Sequence, residues 1–207
     1  MHLFKVRGIW KHAFNNLKGD GTPVAGQKDA IQEWFFVCGT DTYVIVENLR
    51  QLLNSDAIKR DTTKGRGLYL GRRFLEPNVG GALFNSGGAG YALNRAALKL
   101  LMKSFPEEYC GPKLRASWED VMISKCLKEQ GILARDTRDR VDEERFHPFG
   151  PGKMVEGLYP QWLRDYTKQF VDDKHNGLKC CSASSISFHY VSRHEMVKFH
   201  NRLHQCR

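Results

Sequence analysis

Long apolar runs are missing from this sequence. None of its segments reaches the roughly 18 consecutive apolar residues that a membrane-spanning helix needs. The opening, Met-His-Leu-Phe-Lys-Val-Arg-Gly, does not have the pattern of a signal peptide. There is also no internal repeat and no Asn-x-Ser/Thr sequon. The sequence as written therefore predicts no membrane span, no repeat architecture and no N-glycan.

Cysteine pairs with the spacing of metal or redox motifs are also missing. The chain has six cysteines but no Cys-x-x-Cys, and two of the six, Cys180 and Cys181, are adjacent. This usage favours disulfides formed in an oxidising compartment over a zinc site. Disulfides and a missing signal peptide point in opposite directions, and a targeting segment upstream of Met1 would reconcile them.

Blocks of five or six like charges do not occur, although the chain is basic overall. It has 32 Lys and Arg against 23 Asp and Glu, a formal charge of +9. That balance favours an anionic partner such as a nucleotide diphosphate, nucleic acid or an acidic membrane, but dispersed charges can equally form a generally basic surface. We expect no nucleic-acid binding, because there is no groove-reading helix, basic arm or RNA-binding signature.

What the sequence does have is the composition of a globular domain, with 41% apolar and 27% charged residues. We therefore expect residues 1–207 to form one domain. Residues 34–38 are an unbroken apolar run, which predicts a strand covered on both faces. A turn at Gly39 and Thr40 follows, and then a helix. The apolar stripe of this helix is Ile45, Leu49, Leu52 and Leu53.

Three further segments have readable local patterns. Residues 7–17 predict a helix, whereas residues 19–26 and 54–67 predict polar loops. The apolar face of the predicted helix is Ile9, Trp10, Ala13, Phe14 and Leu17. Residues 158–170 are rich in aromatic side chains, which core packing alone could explain.

One carboxylate, Asp41, lies in the turn between the predicted strand and helix. Ligands of α/β sheets bind at the carboxyl ends of strands, so Asp41 is a candidate binding residue. The alternative is structural, because either Asp41 or Thr42 could cap the helix by accepting a hydrogen bond from a free backbone N–H. Local sequence alone favours the cap.

Two later segments also allow a functional and a structural interpretation. Glycines at 87, 88 and 90 would let the backbone approach a ligand, or would simply permit a tight bend. Ser117 and Asp120 have the spacing of a capping box at a helix start, but Asp120 and its neighbour Glu119 could also serve chemistry.

Motifs spread from about Ile9 to Val191 resemble, in order and spacing, segments of the core 1 β1,3-galactosyltransferases, a family of fringe-like β1,3-glycosyltransferases. The matching segments are residues 34–36, 41–50, 70–74, 86–91, 117–121, 146–149, 180–182 and 187–191. The donor-site turn departs from the family pattern. It reads Asp-Asp-Asp-Thr-Tyr-Val in the family and Gly-Thr-Asp-Thr-Tyr-Val at residues 39–44 here, so two of three acidic residues are replaced.

The resemblance implies an α/β fold of the nucleotide-diphosphate-sugar transferase (GT-A-like) kind, with a mixed sheet that lacks its first strands. It implies that a membrane anchor and those first strand–helix units lie upstream of Met1, and that the full protein works in the Golgi lumen. The implied reaction is inverting transfer of galactose from UDP-galactose to the 3-hydroxyl of N-acetylgalactosamine on Ser or Thr of a glycoprotein, with Mn²⁺. The oligomeric state stays open, with a homo-oligomer as one option.

The resemblance also implies roles for particular residues. Asp120 is expected to be the catalytic base, with Glu119 orienting substrate. A base positioned to take the acceptor proton typically contributes ~10²–10⁴-fold to the rate. Asp41 and His147 are expected to hold Mn²⁺, because a carboxylate and an imidazole suit this ion when substrate oxygens complete its shell. The residues expected to line the substrate are Gly87, Gly88, Ala89 and Trp118.

Four cysteines have counterparts in the family and are expected to form two disulfides. These four are Cys110, Cys126, Cys180 and Cys181. We expect the adjacent pair to have different partners, which leaves the connectivity open, and Cys38 and Cys206 are unmatched. The aromatic segment 158–170 lies where the family presents aromatic rings to its glycopeptide.

The two lost acids in the turn prompt a rival hypothesis. A member of the family with impaired catalysis could act as a folding partner or binding module for an active paralogue. Metal-dependent UDP binding would count against this rival.

Overall fold

The computed structural model describes residues 3–16, 34–76, 82–111, 113, 118–169 and 177–204. Its helices are α1 (Leu3–Asn15), α2 (Val46–Leu53), α3 (Asp56–Thr63), α4 (Arg95–Ser104), α5 (Glu119–Lys128), α6 (Pro151–Glu156), α7 (Gln161–Thr167) and α8 (Arg193–His204). Its strands are β1 (Trp34–Val37), β2 (Tyr43–Val44), β3 (Tyr69–Gly71), β4 (Arg73–Glu76), β5 (Ala82–Asn85), β6 (Tyr91–Asn94), β7 (Ala134–Arg135), β8 (Phe146–His147) and β9 (Ser187–Phe188). The predicted loop 19–26, the capping residue Ser117 and Cys206 lie outside the described residues.

A four-stranded mixed sheet in the order β1-β6-β3-β7 forms the centre of the fold. β6 is antiparallel to both β1 and β3, whereas β3 and β7 are parallel. The chain is thus a mixed α/β protein with mixed sheets, as the sequence predicts.

Helices cover both faces of this sheet. Helices α1, α4 and α5 pack on one face, where Trp10, Leu98 and Ile123 are buried against Tyr91. On the other face, Ile58 of α3 packs with Leu70 and Ala92. Phe35 of β1 points to the first cluster, and Trp34 and Phe36 point to the second. The prediction that this strand is covered on both faces is therefore confirmed.

Two smaller sheets flank the central one and build the walls of a cleft. The three-stranded sheet has the order β2-β9-β8, with β2 antiparallel and β8 parallel to β9. Strands β4 and β5 form an antiparallel pair that packs on α5 and α7. Cleft residues therefore come from segments far apart in the chain.

Two disulfides are present among the described residues. Cys110–Cys126 fastens the single turn at 108–110 to α5, and Cys180 is bonded to Cys181. The prediction that these four cysteines form two disulfides is confirmed. The expectation of different partners for the adjacent cysteines is wrong, because Cys180 and Cys181 are bonded to each other.

Two predictions from local sequence patterns are wrong, namely the buried face of α1 and the loop at 54–67. Ile9 is 46% exposed, because the buried stripe of α1 begins one turn earlier at Val6 and runs through Trp10. The segment predicted as a loop at 54–67 contains α3, which buries one apolar residue, Ile58. None of the helices in the described ranges is long and apolar enough to cross a membrane.

Candidate functional site

An open cleft of about 430 Å³ lies between the β4–β5 pair, α5, α7 and the end of β9. It brings together Asp120, Trp118 and Gly88, which the sequence predicts as site residues, with His189, which it does not. The described residues that line the cleft are Phe74, Glu76, Phe84, Ser86, Gly88, Trp118, Asp120, Val121, Pro148, Trp162, Tyr166, His189 and Tyr190.

The glycine-rich turn between β5 and β6 forms the floor of the site. The backbone N–H of Gly87 donates a 2.9 Å hydrogen bond to Oδ2 of Asp120. A Cβ atom at Gly87 would lie 2.3 Å from Oε1 of Glu119, and one at Gly88 would lie 2.3 Å from the His189 ring. Gly90 has φ +84°, which favours glycine. The glycines therefore permit close approach of the site's own side chains to the backbone.

Asp120 and Glu119 begin α5 and have different surroundings. Asp120 lines the cleft, and its Oδ1 accepts a 3.0 Å hydrogen bond from the N–H of Val121. Burial raises the pKa of Asp120, against the opposing effect of the N–H group of Gly87. A carboxylate with a raised pKa is a stronger base than an exposed one.

Glu119 lies beneath the glycine turn and does not reach the open cleft. Its side chain is buried, and the Tyr91 hydroxyl donates a 3.3 Å hydrogen bond to its Oε2. Trp10 of α1 in turn donates to the Tyr91 hydroxyl at 3.3 Å. Burial, with the neighbouring charge of Asp120, raises the pKa of Glu119 to about 8. Glu119 therefore packs beneath the turn that Asp120 binds, away from the cleft in which its predicted role of orienting substrate would place it.

Asp41 does not cap the following helix. The N-cap of α2 is Ile45 and has no side-chain cap, because the two-residue strand β2 separates the turn from the helix. Oδ1 of Asp41 lies 3.3 Å from Nε2 of His189, and Thr42 donates a 2.7 Å hydrogen bond to the Gly88 carbonyl. The turn is thus joined to the cleft rather than to the helix start.

His147 lies in β8 with its side chain fully buried. Its Nε2 is 2.9 Å from the Ser185 hydroxyl oxygen, and its ring stacks on Phe188 with centroids 4.5 Å apart. Burial, helped by the charge of Arg72, lowers the pKa of His147 to about 3. The imidazole beside Asp41 is that of His189, so the structure does not place His147 as the sequence predicts.

The pair of Asp41 and His189 fits part of a metal site. Its two donor atoms are 3.3 Å apart, close to the roughly 3 Å that separates adjacent ligands about 2.1 Å from one octahedral ion. Burial lowers the pKa of His189, against the opposing charge of Asp41, and a metal-binding imidazole must be neutral. Among the described residues no group of three or more His, Cys, Asp or Glu side chains could hold a metal, so substrate oxygens would have to complete the shell.

Aromatic rings also line the cleft. Trp162 and Tyr166 of α7 lie with ring centroids 5.9 Å apart, and Trp118 is 51% exposed. Ala89 is fully buried with Leu49 and does not reach the cleft. The aromatic segment at 158–170 therefore does contribute to the cleft, through two of its rings.

Sequence reasoning missed His189. The signal was present, because residues 187–191 belong to the last matching motif, but only His147 was read as a metal ligand. The pairing of β2 with β9, at Tyr43 opposite Phe188, is what brings Asp41 and His189 together. A contact across about 150 residues leaves no local pattern in the sequence.

Fold and cleft together are consistent with the glycosyltransferase class: a mixed α/β protein whose cleft is lined by a half-buried carboxylate and aromatic rings, with a carboxylate–imidazole pair beside it. No protein-family model matches the chain. It is 36% identical over 181 residues to a curated Xenopus laevis protein, glycoprotein-N-acetylgalactosamine 3-beta-galactosyltransferase 1. The match covers 83% of this chain and 47% of that protein, so the chain spans about half the length of this relative. The chain belongs to the core 1 β1,3-galactosyltransferase family.

Proposed function

We propose that this chain is the catalytic part of an inverting glycosyltransferase that moves galactose from UDP-galactose to the 3-hydroxyl of N-acetylgalactosamine on Ser or Thr of glycoproteins. The single observation that carries the proposal is the placement of Asp120 in the cleft. Its carboxylate accepts a hydrogen bond from the N–H of Gly87, and its pKa is raised by burial. The name of the Xenopus relative supports the choice of sugar and acceptor.

In the proposed reaction Asp120 is the base. The acceptor 3-hydroxyl attacks the anomeric carbon of galactose, and its proton passes to the Asp120 carboxylate as the new carbon–oxygen bond forms. The bond from that carbon to the diphosphate oxygen breaks on the opposite face, and UDP leaves with the electron pair. One displacement inverts the configuration, so an α-linked donor gives a β-linked product.

Asp41 and His189 are the residues that we propose hold Mn²⁺, in place of Asp41 and His147, the pair expected from the family resemblance. When bound, the ion would neutralise charge on the leaving diphosphate. Thr42 keeps Asp41 next to the glycine turn through its bond to the Gly88 carbonyl, so the metal residues and the Asp120 side are connected by one short backbone segment.

The fold is proposed to be GT-A-like, with helices on both faces of its central sheet and the donor turn after β1.

We propose that the full protein is anchored in the Golgi membrane and acts in the lumen, where the disulfides Cys110–Cys126 and Cys180–Cys181 are stable. The rival role as a folding partner rests on the two replaced acids at Gly39 and Thr40 alone, and the Xenopus relative does not favour it.

The test is product analysis. Protein is incubated with UDP-galactose, Mn²⁺ and a peptide carrying α-N-acetylgalactosamine on threonine, and the product linkage is read by NMR. We expect a β1,3-linked galactose. A different linkage or donor preference, with transfer present, would change the substrate assignment, and no transfer with intact folding would contradict the proposal.

A further inference from the structure

A second carboxylate, Glu76, lines the same cleft as Asp120 and has no role in the reaction described above. It is the last residue of β4 and pairs with Ala82 at the start of β5. Its side chain is buried, with 7% of the residue exposed, yet it belongs to the cleft wall. A carboxylate in so little water requires hydrogen-bond donors around it.

Tyr166 of α7 supplies one such donor. Its hydroxyl is hydrogen-bonded to Glu76, and this bond, with burial, raises the pKa of Tyr166 to about 12. The phenol therefore stays protonated and donates at neutral pH. The Tyr166 ring is itself fixed by Phe74 and Phe84, with centroids 5.8 and 5.9 Å away. Glu76 is thus oriented by a side chain that packing holds in place.

The surroundings of Glu76 suit a sugar hydroxyl better than an anion. None of the described residues that line the cleft is Lys or Arg, although the whole chain carries a formal charge of +9. Glu76 and Asp120 make the cleft acidic, and Phe74, Trp162 and Tyr166 offer apolar ring faces. A carboxylate accepts several hydrogen bonds at once, so the bond from Tyr166 leaves capacity for a ligand donor.

We propose that Glu76 accepts a hydrogen bond from a hydroxyl of the acceptor sugar other than the reacting 3-hydroxyl, and that Tyr166 positions Glu76 for this contact. Glu76 is then a specificity-determining residue. Asp120 accepts the proton of the reacting hydroxyl, and Glu76 fixes the orientation of the sugar through its hydrogen bond. This inference rests on the proposed function, because it names a residue that recognises the acceptor sugar.

The test combines variants with altered acceptors. Binding of the N-acetylgalactosamine-threonine peptide and of its 4-deoxy and 6-deoxy forms is titrated with UDP and Mn²⁺ present, so that no sugar is transferred. For the wild type we expect one deoxy form to bind about tenfold to a hundredfold more weakly, as for loss of a hydrogen bond to a charged group. Glu76→Gln should bind the parent peptide about as weakly as the wild type binds that deoxy form. It should bind the deoxy form no more weakly than it binds the parent peptide, because the contact is already lost.

Further variants separate this contact from a general effect on folding. Tyr166→Phe keeps the ring and removes the hydroxyl. Like Glu76→Gln, it should weaken binding of the parent peptide, and it should leave the KM for UDP-galactose unchanged. Glu156→Gln, an exposed carboxylate on α6, is the matched control and should change nothing. Thermal unfolding of each variant is recorded alongside.

The outcomes are distinct. The inference is overturned if Glu76→Gln binds the parent peptide within twofold of wild type, or if both deoxy penalties are the same in wild type and variant. Failure of the proposed function is a separate result, namely no transfer by a wild type that still binds the peptide.

Discussion

At the scale of single residues, Asp120 and Glu119 are neighbours in sequence with different exposures, because Glu119 is buried and Asp120 is half-buried. Asp120 faces the cleft, whereas Glu119 turns under Gly87 to meet Tyr91. The resemblance to the family assigns Asp120 as the base and Glu119 to substrate orientation, but no local pattern shows which side chain faces the cleft, because that depends on the direction of the helix start. Both acquire raised pKa values through burial.

Glu119 gives a prediction about stability and pH. Its pKa is about 8 in the folded chain against 4.5 ordinarily, so below pH 4.5 both states hold the proton. Between these values only the unfolded chain releases it, and stability falls as pH rises through this window. We expect Glu119→Gln, which can still accept from Tyr91, to remove part of this fall. Urea unfolding at pH 5 and pH 8 measures it, and an unchanged pH dependence would contradict the assigned burial effect.

Gly88 gives a prediction about the carboxylate–imidazole pair. An added Cβ would lie 2.3 Å from the His189 ring, so Gly88→Ala must displace this ring from Asp41. We expect weaker Mn²⁺ binding and a stability loss of roughly 1–3 kcal/mol from overpacking. Gly152→Ala, where nothing lies within 4 Å of the new atom, is the control. Calorimetric titration with Mn²⁺ and UDP is the measurement, and equal affinity in both variants would exclude His189 as a ligand.

Gly39 occupies the position of a lost acid of the donor turn. A Cβ there would lie 2.6 Å from Oδ1 of Asp41, so the end of the Asp41 side chain would have to shift, and 3.6 Å from Nε2 of His189. An aspartate would therefore add a carboxylate beside the proposed pair. We expect Gly39→Asp, alone or with Thr40→Asp, to raise Mn²⁺ affinity and transfer rate. Gly152→Asp adds the same charge on exposed α6 and should do neither. No gain from Gly39→Asp would mean that the lost acid does not limit metal binding or transfer.

At the scale of elements, the apolar run at 34–38 predicted a strand, which the structure places at Trp34–Val37. The apolar stripe from Ile45 to Leu53 predicted a helix, which begins at Val46. It failed for α3, because one buried residue, Ile58, gives no repeating stripe to detect. It also failed for the turn at Asp41, since β2 is too short to read and exists through pairing with β9. Pairings between distant segments create the site, and a single sequence does not display them.

Helix α5 gives a prediction about the disulfides. Cys110–Cys126 closes a loop with a sequence separation of 16, whereas Cys180–Cys181 joins neighbours and restricts the unfolded chain little. Replacing Cys110 and Cys126 by alanine should lower the free energy of unfolding by about 3 kcal/mol. The same change at Cys180 and Cys181 should cost much less. Urea unfolding of both double variants compares them, and equal losses would contradict the loop-length explanation.

At the scale of the whole molecule, a basic chain encloses an acidic, aromatic cleft. The formal charge of +9 is spread over the sequence, but the described cleft residues include Glu76 and Asp120 and no Lys or Arg. Net charge predicted an anionic partner, and it could not predict a cleft suited to a neutral sugar, because composition does not show where charges lie. Family membership was readable because the motifs keep their order along the chain.

The most direct measurement is the initial rate of galactose transfer by wild type and Asp120→Asn, with UDP-galactose, Mn²⁺ and the N-acetylgalactosamine-threonine peptide. Asp142→Asn is the matched control, since Asp142 is exposed and its φ of 63° is one that asparagine tolerates. We predict that Asp120→Asn lowers kcat by about 10²–10⁴-fold with acceptor binding retained, and that Asp142→Asn has no effect. Equal rates for wild type and Asp120→Asn would contradict the assignment of Asp120 as the base.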